Sequence, residues 1–426
     1  MAPPVLRHEA ESIPLSLTRN DLNPALDDPS FWIRRTPEPD RRLLTVSRLG
    51  TVNAQILRRE PQRVDVLGLP DRLPAEMIRQ WIEAEPLPPE GPRYYASGRR
   101  VARSDYARLR TGMNLAALKG ARSVRFGLVT AEADVRGAPT AAPLLWAPDR
   151  PAFDALQWSL IGPGEPVALL HTSADGRWGF VQTPCYRGWI ARDRIGLAGR
   201  EVVQAFARPR DFVVVLAPTV RISGRAVHPG MAFPLLENGR GWLRLQFPRR
   251  GPGGALRLVT TRVKPTPDLH RGYLPLTRRR LLNQASRFLG LPYRWGGLDC
   301  SQFVQWVFRP FGLHLPRNSA QQAKVGRRIA TLSRASAAEE RAAALGWARA
   351  GTTLLQLPGH IMLFLGQLDG RVYAIHAIHR YHDVDAAGRD QSVYLDRVLV
   401  TDLDRGARQP DGSLLERITV ITDVLG

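Results

Sequence analysis

Two residue types in this chain can do covalent chemistry together, cysteine and histidine. Among 426 residues there are only two cysteines and nine histidines. Cys300 stands in Leu291-Pro-Tyr-Arg-Trp-Gly-Gly-Leu-Asp-Cys-Ser-Gln-Phe-Val-Gln-Trp-Val-Phe308, where turn-forming residues run into a helical pattern. A cysteine at a helix start faces unpaired backbone N–H groups and the positive end of the macrodipole, and both favour a thiolate. A thiolate at neutral pH is a nucleophile. To act, it needs a base within reach and a third group to orient that base. The chain offers His314, His360, His376, His379 and His382 for those roles. Cys185, in Thr183-Pro-Cys-Tyr186, has no nearby histidine or second thiol in sequence and reads as a half-buried thiol. Two cysteines make no disulfide framework, and a Cys185–Cys300 bridge would consume the nucleophile.

The elements that must position these groups can be read from periodicity. Phe303, Val304, Val307, Phe308 and Phe311 share one face of a helix that begins at Cys300. Leu282–Leu289 reads as a second helix, and the Ala-rich stretch Ala335–Ala350 as a surface helix. His360–Leu365 and Val372–Ile378 read as two strands joined through Gly366-Gln-Leu-Asp-Gly370. Alternation puts His360 on the face of Met362 and Phe364. If Gly366 pairs with Gly370 across a three-residue loop, His376 falls opposite His360. If Asp369-Gly370 forms a two-residue turn, His379 falls there instead and His376 points away. Spacing alone leaves both open.

Upstream, residues 1–121 read as mixed and mostly helical, with a helix over Leu73–Glu83. Short strands separated by Pro163-Gly164, Asp175-Gly176 and Arg187-Gly188 argue a small barrel over 122–198. A similar pattern, with Phe212–Leu216, a turn at His228-Pro-Gly230 and Gly241–Gln246, argues a second over 199–268.

The net charge is +21, and only Lys119, Lys264 and Lys324 among the 60 basic residues are lysines. The arginines are scattered and no nucleic-acid motif accompanies them, which argues weak attraction to polyanions and no nucleic-acid partner. No apolar stretch reaches membrane-spanning length. Met1–Ala10 lacks the apolar core of a signal peptide, so the expected compartment is the cytoplasm or the cell envelope.

The chain resembles the NlpC/P60 cysteine peptidases of bacterial cell-wall metabolism. The resemblance rests on Tyr293-Arg-Trp-Gly-Gly297, Asp299-Cys-Ser301, Leu315-Pro-Arg-Asn-Ser319 with Gln322, Leu357–Gly366 and Ile375-His-Ala377, in that order. His171–Trp178 and Gly188-Trp189 resemble the SH3b modules that precede this domain in one subgroup, the γ-D-glutamyl-L-diamino acid endopeptidases. The fold implied is α+β and multidomain. An N-terminal stabilising region (1–121) and two SH3-like barrels (122–198 and 199–268) precede a papain-like catalytic domain (269–426), with helices packed on an antiparallel sheet. The resemblance implies Cys300 as nucleophile, His360 as general base and acid, and His376 as the residue that orients His360, and through Ile375-His-Ala377 it favours the three-residue loop over the Asp-Gly turn. It also implies Tyr293, Asp299 and Ser301 as binders of a murein peptide with a free N-terminal L-Ala, cut between γ-D-Glu and the diamino acid. Neither metal nor cofactor is implied.

Asp299 suits two jobs, pairing with a substrate ammonium and capping the helix. Its charge would also raise the thiol pKa. One departure stands out: only Leu298 separates Gly297 from Asp299, where the family has a longer loop bordering the cleft. Two other readings remain. The same core could serve another amidase or acyltransferase substrate, or the SH3-like modules could make a non-catalytic wall-binding protein.

Overall fold

Asp28-Pro29 starts the first α-helix of the computed structural model, which describes residues 24–84, 87, 91–150, 153–384, 387–407 and 412–426. The stretch Met1–Ala10 lies outside them. In helix α1 (Pro29–Arg35) the Asp28 carboxylate accepts from the Ser30 N–H at 2.8 Å, and proline occupies the first position, where its missing N–H costs nothing. The helix buries Trp32 and Ile33.

The described residues fall into two compact units. One holds the residues up to Ile56 with Leu274–Arg294 and Leu298–Gly426; the other holds Leu57–Tyr273 with Trp295–Gly297. The region expected as 1–121 is thus divided at Ile56, and α1 belongs with Cys300.

In the first unit, helix α2 (Arg278–Ser286) starts a few residues before its expected place because Thr277 caps it, accepting from the Arg280 N–H. Helix α3 (Cys300–Phe308) is buried on every side, with Phe303, Val304, Val307 and Phe308 fully enclosed. The Ala-rich helix α4 forms over Ala338–Gly346. The sheet contains β1 (Arg327–Thr331), β2 (Thr353–Leu357), β3 (His360–Leu368), β4 (Arg371–Val384), β5 (Asp390–Asp402) and β6 (Val420–Asp423). Its strand order is β1-β6-β2-β3-β4-β5, and every pairing is antiparallel. Helices on an antiparallel sheet make this an α+β unit, as expected.

The β3–β4 connection is the two-residue Asp369-Gly370 turn, with Leu368 paired to Arg371 and φ of 50° and 76° at the central residues. Both angles positive is what a type I′ hairpin turn requires. The three-residue loop weighed above is not formed. A β-bulge then shifts the register between Phe364 and Gly366, so that Phe364 pairs with Ala374 and Leu363 with Ile375. The extra residue restores the parity that the short turn removes. His360 and His376 therefore share a face.

Gly366 sits in this bulge at φ 155°, and a Cβ there would lie 3.1 Å from the Trp32 ring. Trp32 is 2% exposed, packs at 5.5 Å centroid distance on Tyr373, and donates its indole N–H to the Leu26 carbonyl at 2.8 Å.

In the second unit, a seven-stranded antiparallel sheet gathers strands between Arg125 and Leu197 around Val129, Val135, Val167, Leu169, Val181 and Ile190. A five-stranded sheet gathers strands between Phe212 and Arg271. The helix expected from Leu73 starts at Ala75, since Arg72–Pro74 pairs as a short strand with Ala121–Ser123. No disulfide joins Cys185 and Cys300, and Arg63 donates to the Cys185 sulfur at 3.0 Å.

Trp32→Ala should cost about 3–5 kcal/mol, the usual range for emptying a buried aromatic site. Chemical denaturation of the two proteins measures it, and a loss below about 1 kcal/mol would show that the ring is not a packing element of this unit.

Candidate active site

Asp299 is where the turn-forming segment becomes helix. Its backbone is extended, and its Oδ1 accepts from the N–H groups of Ser301 (3.1 Å) and Gln302 (2.9 Å). The capping role weighed for it is present. Arg317 forks onto the same carboxylate, at 2.9 Å to Oδ1 and 2.6 Å to Oδ2. It also donates to Ser301 Oγ at 2.8 Å, while that hydroxyl donates to Asp299 Oδ1 at 3.0 Å. Arg317 is 3% exposed and Asp299 9%. A pair this desolvated survives because its contact is bidentate and Oδ1 takes further donors, and removing one partner would strand the other charge. Arg317 was not singled out as a site residue from sequence; its place in Leu315-Pro-Arg-Asn-Ser319 was the available signal.

Cys300 follows the cap and is 8% exposed. Burial, and after it the Asp299 charge, push its thiol up to about 12, against the N–H groups of Ile361 and Ser301 and the Arg317 cation. The helix start therefore does not leave a standing thiolate, because desolvation outweighs the first-turn donors. The Ile361 N–H on the sulfur ties Cys300 to the first residues of β3, beside His360.

His360 opens β3 after Pro358-Gly359, and its Nε2 lies 2.6 Å from His376 Nδ1. Burial, then the Arg417 cation, lowers the imidazole to about 4. His376 is fully buried on β4, and burial followed by the His360 charge holds it well below its ordinary range. Its Nε2 lies 2.9 Å from Thr401 Oγ1. Since His376 pairs with Leu399, Thr401 is its diagonal neighbour on β5, on the same face. Sequence reading missed Thr401: a lone threonine in a strand carries no motif.

The other histidines stand apart from this line. His379, weighed as the third member, bonds through Nδ1 to the Asp396 carboxylate. His382 lies farther along β4, opposite Ser392, and the His314 backbone N–H donates to Asn53 Oδ1 at 3.0 Å. Tyr293 donates its N–H to the Asp396 carbonyl at 2.9 Å, and burial holds its phenol well above the ordinary range. Among the described residues no group of three His, Cys, Asp or Glu side chains could hold a metal ion. A buried thiol, a neutral imidazole and a second imidazole anchored by a hydroxyl form the parts of a thiol-based acyl-transfer site.

Residues 290–400 match the family model described as NlpC/P60 family, and residues 143–191 match the model described as SH3 domain (SH3b1 type). The chain thus carries an NlpC/P60 domain preceded by an SH3b module. Residues in this chain are 38% identical over 58 positions to the gamma-D-glutamyl-L-lysine dipeptidyl-peptidase of Bacillus subtilis (strain 168), covering 12% of this chain and 20% of that relative. They are 40% identical over 58 positions to the Murein DD-endopeptidase MepS/Murein LD-carboxypeptidase of Escherichia coli (strain K12), covering 12% and 31%. The matched stretches thus span less than a third of these curated relatives. An NlpC/P60 endopeptidase structure from Photobacterium damselae subsp. piscicida superposes with a TM-score of 0.71, covering 91% of this chain and 94% of its own at 18% identity. That agreement establishes the fold.

The His360 imidazole titrates at about 4 in the fold against 6.5 unperturbed. A histidine kept neutral by the fold binds its proton more readily in the unfolded chain, so it lowers stability as pH falls through that window. Thermal unfolding midpoints should drop with acid between those values and drop less in His360→Gln. An equal drop in both proteins would remove His360 as a contributor.

Proposed function

We propose that this chain is a cysteine endopeptidase of bacterial cell-wall peptides. Its substrate is a murein peptide with a free N-terminal L-Ala, cut at the bond between γ-D-Glu and the diamino acid. The observation that carries this reading is the buried line from His360 through His376 to Thr401, set beside a cysteine that opens a capped helix. The two curated relatives, a γ-D-glutamyl-L-lysine peptidase and a murein endopeptidase, support the substrate class.

The hydrogen-bond order that makes His360 a base runs outward from Thr401. His376 Nε2–H donates to Thr401 Oγ1, His376 Nδ1 accepts from His360 Nε2–H, and the lone pair of His360 Nδ1 is left for the thiol. Both groups rest neutral, so the proton moves to His360 as sulfur attacks the carbonyl carbon, rather than from a standing ion pair. The imidazolium then protonates the leaving amine of the diamino acid, which a depressed pKa assists. Water, deprotonated by His360, releases the γ-D-glutamyl product from sulfur.

Backbone N–H groups at a helix start are suited to hold the oxyanion. Asp299 takes the Ser301 and Gln302 donors, which leaves the Cys300 N–H as the helix contribution. Tyr293, Asp299 and Ser301 bind the substrate amine in this reading. Arg317 shares the Asp299 carboxylate and also limits how far that charge opposes thiolate formation. A free-amine requirement fits fragments already released from the wall, and no described helix is long and apolar enough to cross a membrane.

L-Ala-γ-D-Glu-diamino acid peptides, free and N-acetylated, test this directly. The free peptide should be cleaved, the Cys300→Ala protein should be inert, and acetylation should suppress turnover. Cleavage surviving Cys300→Ala would sink the nucleophile assignment, and equal turnover of the acetylated peptide would sink amine recognition. In the same assay Thr401→Val should lower kcat about tenfold, the worth of one hydrogen bond of about 1–1.5 kcal/mol. An unchanged kcat would remove Thr401 from the line.

A further inference from the structure

His379 is a half-buried histidine on β4 that the proposed chemistry does not use, yet the fold builds an enclosure around it. Opposite His379 the β4–β5 register shifts: Ile378 pairs with Arg397 and Arg380 with Tyr394, so Leu395 and Asp396 stand against His379 alone. Asp396 adopts φ 47°, a left-handed conformation that aspartate tolerates better than most residues with a side chain. The outcome is that Asp396 faces two ways. Its carboxylate bonds to His379 Nδ1, and its carbonyl accepts the Tyr293 N–H at 2.9 Å.

The segment that leads to Cys300 runs along the same stretch of β5. Gly290 donates to the Val398 carbonyl at 2.8 Å, Val398 donates to the Leu291 carbonyl at 2.9 Å, and Pro292 bridges Arg397. Tyr293 ends this short ladder. Its ring then meets the His379 ring at 5.9 Å between centroids with a 38° tilt, and Tyr394 closes the other contact edge-on at 5.1 Å and 73°. Asp396 thus holds Tyr293 by its backbone and His379 by its ring, while His379 holds the Tyr293 ring. The three contacts form a closed loop, so both the position and the plane of the tyrosine are determined.

We propose that His379 is a positioning residue for substrate: with Asp396 and Tyr394 it clips Tyr293 in the orientation that receives the peptide's amino end. This rests on the reading of Tyr293 as a substrate contact. The clip lies apart from the His360–His376–Thr401 line, so its loss weakens binding and leaves the chemical step alone. Bulges recur beside functional sites because they re-aim a side chain, and here the re-aimed pair is His379 and Asp396.

Two readouts on the full chain test it. In steady-state cleavage of L-Ala-γ-D-Glu-diamino acid, His379→Ala should raise KM about tenfold and change kcat less than about twofold. His379→Asn should recover most of the KM, since its amide N–H can still donate to Asp396. A kcat loss at constant KM, or no recovery in His379→Asn, would overturn the proposal. The second readout needs no turnover: ring signals of isotopically labelled tyrosine by NMR, with Tyr293 assigned from Tyr293→Phe. These should shift in His379→Ala and return in His379→Asn, and an unmoved Tyr293 signal overturns the clip. If the wild-type protein cleaves no such peptide, the functional reading fails by itself and the ring signals still decide the clip.

Discussion

The register of one hairpin governs this site. His360 and His376 lie 16 positions apart on neighbouring strands, and a change of one residue in their pairing would turn one of them to the opposite face. The tight Asp369-Gly370 turn alone would do that, and the bulge between Phe364 and Gly366 undoes it. Gly366 accepts a backbone conformation that side chains resist, and the Trp32 ring fills the space a Cβ would need. A tryptophan far away in sequence therefore packs against the bulge whose register shift puts His360 and His376, with imidazole nitrogens 2.6 Å apart, on one face.

The second constraint is the cap on the Cys300 helix. Asp299, Ser301 and Arg317 satisfy one another in a buried cluster, which fixes where the helix begins and hence where the sulfur lies. Such a cluster is costly to desolvate and brittle to truncation, so its value lies in geometry more than in stability. It also changes the chemistry available at the helix start. Two of the first-turn donors belong to Asp299, and burial leaves the thiol protonated despite the helix terminus. In the proposed reaction such a site gives up its proton as the substrate carbonyl arrives.

Much of this was legible in the residues. Cys300 at a turn-to-helix boundary, the apolar face of its helix, Asp299 as cap, and the two strands carrying His360 and His376 all follow from local patterns. The boundaries were less secure, since Thr277 started one helix before the apolar repeat did, and β3 and β4 ran well past their apolar stretches. Arg317 and Thr401 were not legible as site residues. Arg317 lay in the segment Leu315–Ser319 without being singled out, Thr401 has no local signal, and each gains its role from a partner 18 or 25 positions away.

Sequence by itself determined the chemical vocabulary: one well-placed thiol, a set of histidines, and the elements that carry them. It also offered the Asp-Gly turn, because positive φ at both central positions suits those residues, but it left that turn open beside the three-residue loop. Only the tertiary structure decided which histidine joins His360 and which goes to Asp396. That choice depends on two bulges, and a bulge forms where packing from distant residues overrides the local ladder.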